Sequence, residues 1–255
     1  MIDWQLNPQY AGSAAASALA SLDAVFALSG EQVARDPESE VLRVRLGDTL
    51  YYVKRYTIGR RKLARRWFGL RDLLGPQRAV REWKNLLRFR AWGLPTATLA
   101  AYGQERRFGR FVRAALVTEA LAETVDMAQL AMLQDQRLQD RQWVAHVSAQ
   151  IAACARTMHQ HGFAHNDFKW RNLLVGKGER PTVYLIDCPT GGFWCQPFLA
   201  YRIIKDLACL DKVGKQVLTR TQRLRFYLDY AGHKRLSAVD KRKVRKILHF
   251  FEGRE

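Results

Sequence analysis

Apolar and polar positions alternate most clearly in two neighbouring runs, Val41-Leu42-Arg43-Val44-Arg45-Leu46 and residues 49–56, with Gly47-Asp48 between them. A period of two interrupted by a two-residue turn predicts a β-hairpin, with Lys54 in its second strand. Upstream, the Ala- and Ser-rich stretch within the first thirty residues predicts a short helix leading to an opening strand at Val25-Phe26-Ala27-Leu28. Over residues 77–92 the period lengthens to that of a helix. Val80, Trp83, Leu87 and Ala91 then share one face, Glu82 flanks it, and Gly93 with Pro95 supplies the stop. Strand-like runs follow at 98–102 and 114–118. Glu119-Ala120-Leu121 then leads into a more polar stretch through Asp140.

Beyond that stretch the pattern is mainly helical. Trp143, Val147, Ile151, Ala155 and Met158 mark a long amphipathic helix stopped by Gly162. A second hairpin is predicted from Leu173-Leu174-Val175 and Val183-Tyr184-Leu185-Ile186, with Asp187 at its end. Helices are expected over 199–213, 217–230 and 237–252, the last opened by the capping signal Ser237-Ala238-Val239-Asp240. The order predicts an α+β chain with a strand-rich part over 1–121 and a helical part over 122–255, together one domain.

Composition changes this picture in one respect. Hydrophobic residues make up 48% and charged residues 26%, which excludes a mainly disordered chain, but the net charge of +18 from 42 Lys and Arg against 24 Asp and Glu calls for an anionic partner. Much of the positive charge lies in residues 55–90, where Arg60, Arg61, Lys62, Arg65, Arg66 and Trp67 interleave cations with an aromatic ring. A solvated face is the plain reading of such a run. Docking on an anionic interface is the sharper one, and nucleic acid ranks below both because no recognised binding module accompanies the charge. The four cysteines show no paired spacing, which fits a reducing compartment. No signal peptide is expected, and no run reaches the ~18 apolar residues of a spanning helix, so membrane association would be peripheral.

The chemistry concentrates in His165-Asn166-Asp167-Phe168-Lys169-Trp170-Arg171-Asn172 and in Leu185-Ile186-Asp187. Phosphoryl transfer needs alignment and charge neutralisation more than covalent help. A strand lysine can hold phosphates, one carboxylate can orient an acceptor hydroxyl, and an Asp with an Asn can hold magnesium. Lys54, Asp167, Asn172 and Asp187 offer these groups. Taken singly each has a plain explanation: a solvent-facing lysine, common loop residues, a core histidine, and for Glu82 a surface ion pair with Arg78.

The loop resembles the H-x-D-x-x-x-x-N catalytic loop of the protein kinase-like fold. The resemblance implies a bilobal fold with the nucleotide cleft between a strand-rich and a mainly helical lobe, and ATP with Mg2+ as cofactors. It further implies Asp167 as catalytic base, Lys169 as stabiliser of the transferring phosphate, and Asn172 and Asp187 as metal ligands. Lys54 paired with Glu82 would hold the nucleotide phosphates, and Glu119 and Leu121 the nucleotide at the hinge. His165 and Asp206 would be structural, the latter fastening the catalytic loop. The chain departs from protein kinases in having Asp187-Cys188-Pro189 for Asp-Phe-Gly, no Ala-Pro-Glu signature, and only Gly30 where a glycine-rich loop would stand.

A closer resemblance accounts for these departures: the 51–56 strand, the Arg-rich stretch before Glu82-Trp83, Gly93-Leu94-Pro95, Thr118-Glu119-Ala120-Leu121, His165 through Asn172, Leu185-Ile186-Asp187 and Lys205-Asp206-Leu207 resemble the bacterial lipopolysaccharide core kinase family over roughly residues 42–210. That resemblance implies a kinase that phosphorylates a Kdo or heptose sugar of the inner core, peripheral at the cytoplasmic face of the inner membrane. Its partners would be lipopolysaccharide core or a lipid-anchored precursor and an anionic membrane surface. The basic run 60–71 and Lys241-Arg242-Lys243 through Lys246 would hold the anionic substrate or membrane. The alternatives are an atypical kinase of proteins or small molecules and a non-catalytic kinase-like binding module.

Overall fold

The computed structural model describes residues 1–57 and 78–253. Arg60, Arg61, Lys62, Arg65, Arg66 and Trp67 lie outside the described residues. The chain forms two compact units, one of residues 1–88 and 97–121, the other of residues 89–96 and 122–255.

The first unit is built on a six-stranded antiparallel sheet of β1 (Ile2–Leu6), β2 (Glu31–Asp36), β3 (Ser39–Leu46), β4 (Thr49–Thr57), β5 (Leu99–Arg107) and β6 (Arg110–Glu119), in the order β1-β5-β6-β4-β3-β2. The β3–β4 hairpin turns at Gly47, whose φ of 61° is the left-handed conformation that the turn requires. Its inward set is the expected alternation: Leu42, Val44, Tyr51 and Val53 are buried in one cluster with Ala101, Ala115, Val117, Leu19, Leu22 and Val25. Fully burying an aliphatic side chain contributes about 1.5–3 kcal/mol, so this face holds the sheet to the N-terminal segment.

That segment corrects the sequence reading. Residues 11–20 form turns, and the helix α1 (Leu22–Ala27) occupies the positions expected to be a strand. The cause is local: Ser21 caps the helix by accepting from the Ala24 N–H, and Asp23 sits in the first turn. Arg55 then ties α1 to the sheet, its guanidinium donating to the Val25 carbonyl at 2.7 and 3.1 Å and to the Leu28 carbonyl. Gly30 has a packing reason, since a Cβ there would lie 2.5 Å from the Arg43 carbonyl.

Helix α2 (Arg78–Ala91) follows, and Gly93 (φ 71°) stops it as expected. Its buried face is Ala79, Val80, Glu82, Trp83, Leu86 and Phe89; Leu87 and Ala91 are exposed, contrary to the periodicity reading. The register is set by the large rings, with Trp83 against Tyr102 at 5.4 Å and Phe89 edge-on to Phe163 at 5.7 Å.

The second unit contains β7 (Thr124–Asp126), α3 (Met127–Met132), α4 (Arg141–Gln160), β8 (Phe163–Ala164), β9 (Leu173–Gly176), β10 (Val183–Leu185), β11 (Gly192–Phe193), α5 (Phe198–Val217), α6 (Arg220–Ala231) and α7 (Ala238–Leu248). The expected hairpin is β9–β10, with β7 added as a third strand. Helix α4 buries Trp143, Val147, Ile151, Ala155 and Met158, the stripe read from the sequence. Helices α6 and α7 both start in capping boxes, Thr219 with Gln222 and Ser237 with Asp240. The first of these moves the helix start from the expected 217 to 220. Among the described residues no helix is long and apolar enough to cross a membrane.

Candidate active site

In the first unit, Lys54 stands on a central strand between Val41 of β3 and Leu116 of β6. Its Nζ lies 2.9 and 3.0 Å from the two carboxylate oxygens of Glu82, which is 3% exposed and also accepts from the Tyr56 hydroxyl. Arg78 pairs with Asp36 at 3.4 Å, both groups being exposed, so the plain alternative for Glu82 does not hold. At the end of β6 the Glu119 N–H donates to the Thr98 carbonyl at 3.0 Å and its carboxylate accepts from Tyr10 at 2.5 Å. The Ala120 N–H donates to the Leu50 carbonyl at 2.8 Å, and Leu121 closes the unit.

In the second unit the loop after β8 is held from beneath. Asp206, fully buried on α5, accepts the backbone N–H of His165 at 2.7 Å on one oxygen and that of Asn166 at 2.8 Å on the other. This carboxylate is no helix-surface group. His159 approaches it at 3.4 Å through Nε2, while its Nδ1 lies 2.9 Å from the Tyr230 hydroxyl. The His165 ring is fully buried, stacked on Phe168 (5.5 Å) and Phe89 (6.2 Å). Burial pushes its basicity down against the pull of Asp206, Asp167 and Asp187, so it stays a neutral spacer.

Asn166 and Asp187 both take the left-handed conformation, at φ 65° and 55°. Asn and Asp tolerate that region better than other side chains, and such residues gather at functional sites. Asn166 also bridges segments, donating to the Thr190 carbonyl at 2.9 Å and accepting from Arg202 at 3.3 Å. The chain after Asp187 is packed tightly: Cys188 is buried, and a Cβ on Gly191 would lie 2.4 Å from the Cys188 sulfur.

One edge of the loop carries Asp167, Lys169 and Asn172 together. Lys169 Nζ is 2.5 Å from one Asp167 oxygen and Arg171 is 3.1 Å from the other. Burial alone would push the Asp167 carboxyl up, but the hydrogen bonds and charges of Lys169 and Arg171 outweigh it and hold the group below the usual carboxylate range. Asn172, 3% exposed, donates its amide to the Asp167 carbonyl at 2.8 Å, which fixes the side chain and distinguishes its nitrogen from its oxygen. The Ile186 N–H donates to the Asn172 carbonyl at 3.0 Å and so brings Asp187 beside the same residue.

One carboxylate and one amide oxygen form a hard-donor set that suits magnesium, which keeps several waters and shares its remaining positions with phosphates. No cluster of three or more His, Cys, Asp or Glu able to hold a metal occurs among the described residues. The same unit holds a separate, largely apolar cavity of about 550 Å³, walled by Trp143, Val147, Trp170, Leu207, Leu224 and Ile247 among others.

The lipopolysaccharide kinase (Kdo/WaaP) family matches residues 26–227. The chain belongs to that family. The solved structure of WaaP in complex with acyl carrier protein is similar over 99% of this chain and 97% of its own, at 24% identity and a TM-score of 0.71. That likeness shows a common fold, with the strand-rich first part and helical second part expected. A structure of Rad53 residues 1–466 in complex with AMP-PNP matches over 85% of this chain and 56% of its own, at 16% identity and a TM-score of 0.47. No curated protein matches the sequence. Family membership makes the chain a lipopolysaccharide kinase in class. The sequence reading passed over Asn166, His159 and Tyr230, which brace the loop in this family member. Only Asn166 carried a signal, an Asn placed directly before the loop Asp where a left-handed residue fits.

Proposed function

We propose that the protein is an ATP- and magnesium-dependent kinase of a heptose or Kdo sugar of the lipopolysaccharide inner core, working at the cytoplasmic face of the inner membrane. The observation that carries this reading is the Asp167 carboxylate clasped by Lys169 at 2.5 Å and braced by Asn172 in a chain matched to the family. Asp167 orients the acceptor hydroxyl toward the terminal phosphorus and takes its proton as the new O–P bond forms. The bond to the leaving ADP oxygen breaks and that oxygen keeps the electron pair. Lys169, already beside Asp167, faces the charge of the transferring group. Lys54 holds nucleotide phosphates and is itself kept extended by buried Glu82, a costly ion pair whose retention fits a functional demand. Asn172 and Asp187 would hold magnesium, which when bound neutralises phosphate charge. WaaP was solved with acyl carrier protein; a carrier protein of that kind is the protein partner we propose for this chain.

The test uses purified protein, ATP and deacylated core oligosaccharide, read by mass spectrometry. The expected product carries one added phosphate, and Asp167→Ala lowers its rate about 10²–10⁴-fold. A wild-type protein that phosphorylates generic protein acceptors and leaves the oligosaccharide untouched would sink the reading.

A further inference from the structure

Residues 192–201, Gly-Phe-Trp-Cys-Gln-Pro-Phe-Leu-Ala-Tyr, run ten positions without a charge and contain one polar side chain, Gln196. Such a run belongs in a core, yet Phe193 is 55% exposed, Phe198 60% and Tyr201 48%. The strip starts at β11 and continues onto the first turn of α5. It borders the end of α7, since Tyr201 meets the buried Phe250 ring at 5.6 Å, Phe250 meets Phe251 at 5.0 Å, and Lys212 lies over the Phe251 ring at 5.3 Å.

Phe250 follows directly on α7, and that helix exposes Lys241, Arg242, Lys243, Arg245 and Lys246 in one run. Arg202 follows the strip on α5 and lies over the Trp194 ring at 4.4 Å, and no acid occurs from 188 to 205. Among the described carboxylates nearby, Asp240 is buried and Asp211 is paired with Arg223 at 2.7 Å, which leaves exposed Glu252, hydrogen-bonded to His249 at 2.6 Å, against the five cations of α7. Exposed rings beside a surplus of cations match the two layers of an anionic bilayer surface, where rings enter the acyl boundary and cations meet headgroup phosphates.

We infer that the strip Phe193–Tyr201 with helix α7 is the surface by which this protein docks on an anionic lipid bilayer. It rests on the proposed membrane-anchored acceptor and supplies that reading with a definite face, independent of the basic run at 60–71. Ring insertion gives depth, and the cations select the lipid charge.

The strip contains its own reporter. Cys195 is exposed, whereas Cys154, Cys188 and Cys209 are buried, with the Cys154 and Cys209 thiols pushed up to about 11 by burial. A polarity-sensitive fluorophore therefore attaches to full-length protein at Cys195. With vesicles of equimolar phosphatidylcholine and phosphatidylglycerol we expect a blue shift that high salt reverses, and none with phosphatidylcholine alone. Phe198→Ser with Tyr201→Ser, both surface changes checked by circular dichroism, should weaken partition on the order of tenfold. Replacing Lys241, Arg242 and Lys243 by Gln should weaken it comparably. No shift with the mixed vesicles, an equal shift with neutral ones, or undiminished binding of the Phe198/Tyr201 variant overturns the proposal. So does a label that responds to an acidic acyl carrier protein and ignores lipid. The measurement contains neither nucleotide nor acceptor, so its failure leaves phosphorylation of soluble oligosaccharide standing, and failure of that phosphorylation leaves the vesicle result intact.

Discussion

Replacing Asp206 by Ala removes the carboxylate that holds the 165–172 loop from below. It strips the acceptor from the His165 and Asn166 N–H groups, bonded at 2.7 and 2.8 Å at a fully buried site. Each buried donor left unsatisfied costs about 1–3 kcal/mol, and removal of a buried charged partner as a whole costs about 3–5 kcal/mol. For a chain of this size, about 2–4 °C per kcal/mol places the melting temperature roughly 10 °C lower. Asp206→Asn keeps one accepting oxygen and turns the other into a donor, so it should fall about halfway. Thermal unfolding followed by near-ultraviolet circular dichroism reads both. Turnover of the surviving folded fraction should drop about 10²-fold, because a loop displaced by an ångström misaligns its Asp. An Asp206→Ala protein with wild-type melting and wild-type turnover would refute the claim that this carboxylate positions the loop.

Further outcomes follow from the electrostatics. Lys169→Ala removes the leading cation that opposes burial at Asp167, so the acid limb of the pH–rate profile should move to higher pH; a limb that stays in place denies the coupling. Asn172→Ala should raise the magnesium concentration needed for half-maximal turnover while leaving melting within about 1–3 kcal/mol, the cost of one buried hydrogen bond partner. The Asp240 carboxyl is held far below its usual range by Ser237 first, then His233 and Tyr227. A depressed folded value stabilises above the unfolded value near 4 and loses that stability as pH falls toward the folded one. Asp240→Asn should therefore cost stability at pH 7, with the deficit shrinking below pH ~4 in acid titrations of the two proteins.

The parts of the fold legible in the sequence were those where pattern and burial coincide. Leu42, Val44, Tyr51 and Val53 alternate because one face of the sheet is dry, and Trp143 to Met158 repeat because one stripe of α4 is. Strand β2 was invisible for the opposite reason, since all six of its residues are exposed and an edge strand needs only its backbone partner. Strand β1 is similarly short and mostly exposed. At Val25-Phe26-Ala27-Leu28 β-branched and aromatic composition pointed to a strand, while Ser21 and the burial of Leu22 and Val25 made a helix. Within the site, Asp167, Asn172 and Asp187 were readable because their spacing is local. The Asp206 role was readable only through family resemblance, as the loop it holds lies some forty residues away. His159 and Tyr230 had no local pattern at all.

His165 shows how the loop keeps charge where it is used. Its ring is fully buried between Phe89 and Phe168, and burial holds it neutral against three nearby carboxylates. A neutral ring at that position contributes shape and stacking alone. The charge of the 165–172 loop is therefore left to Asp167, Lys169 and Arg171, and a change of pH through the usual histidine range leaves its balance untouched.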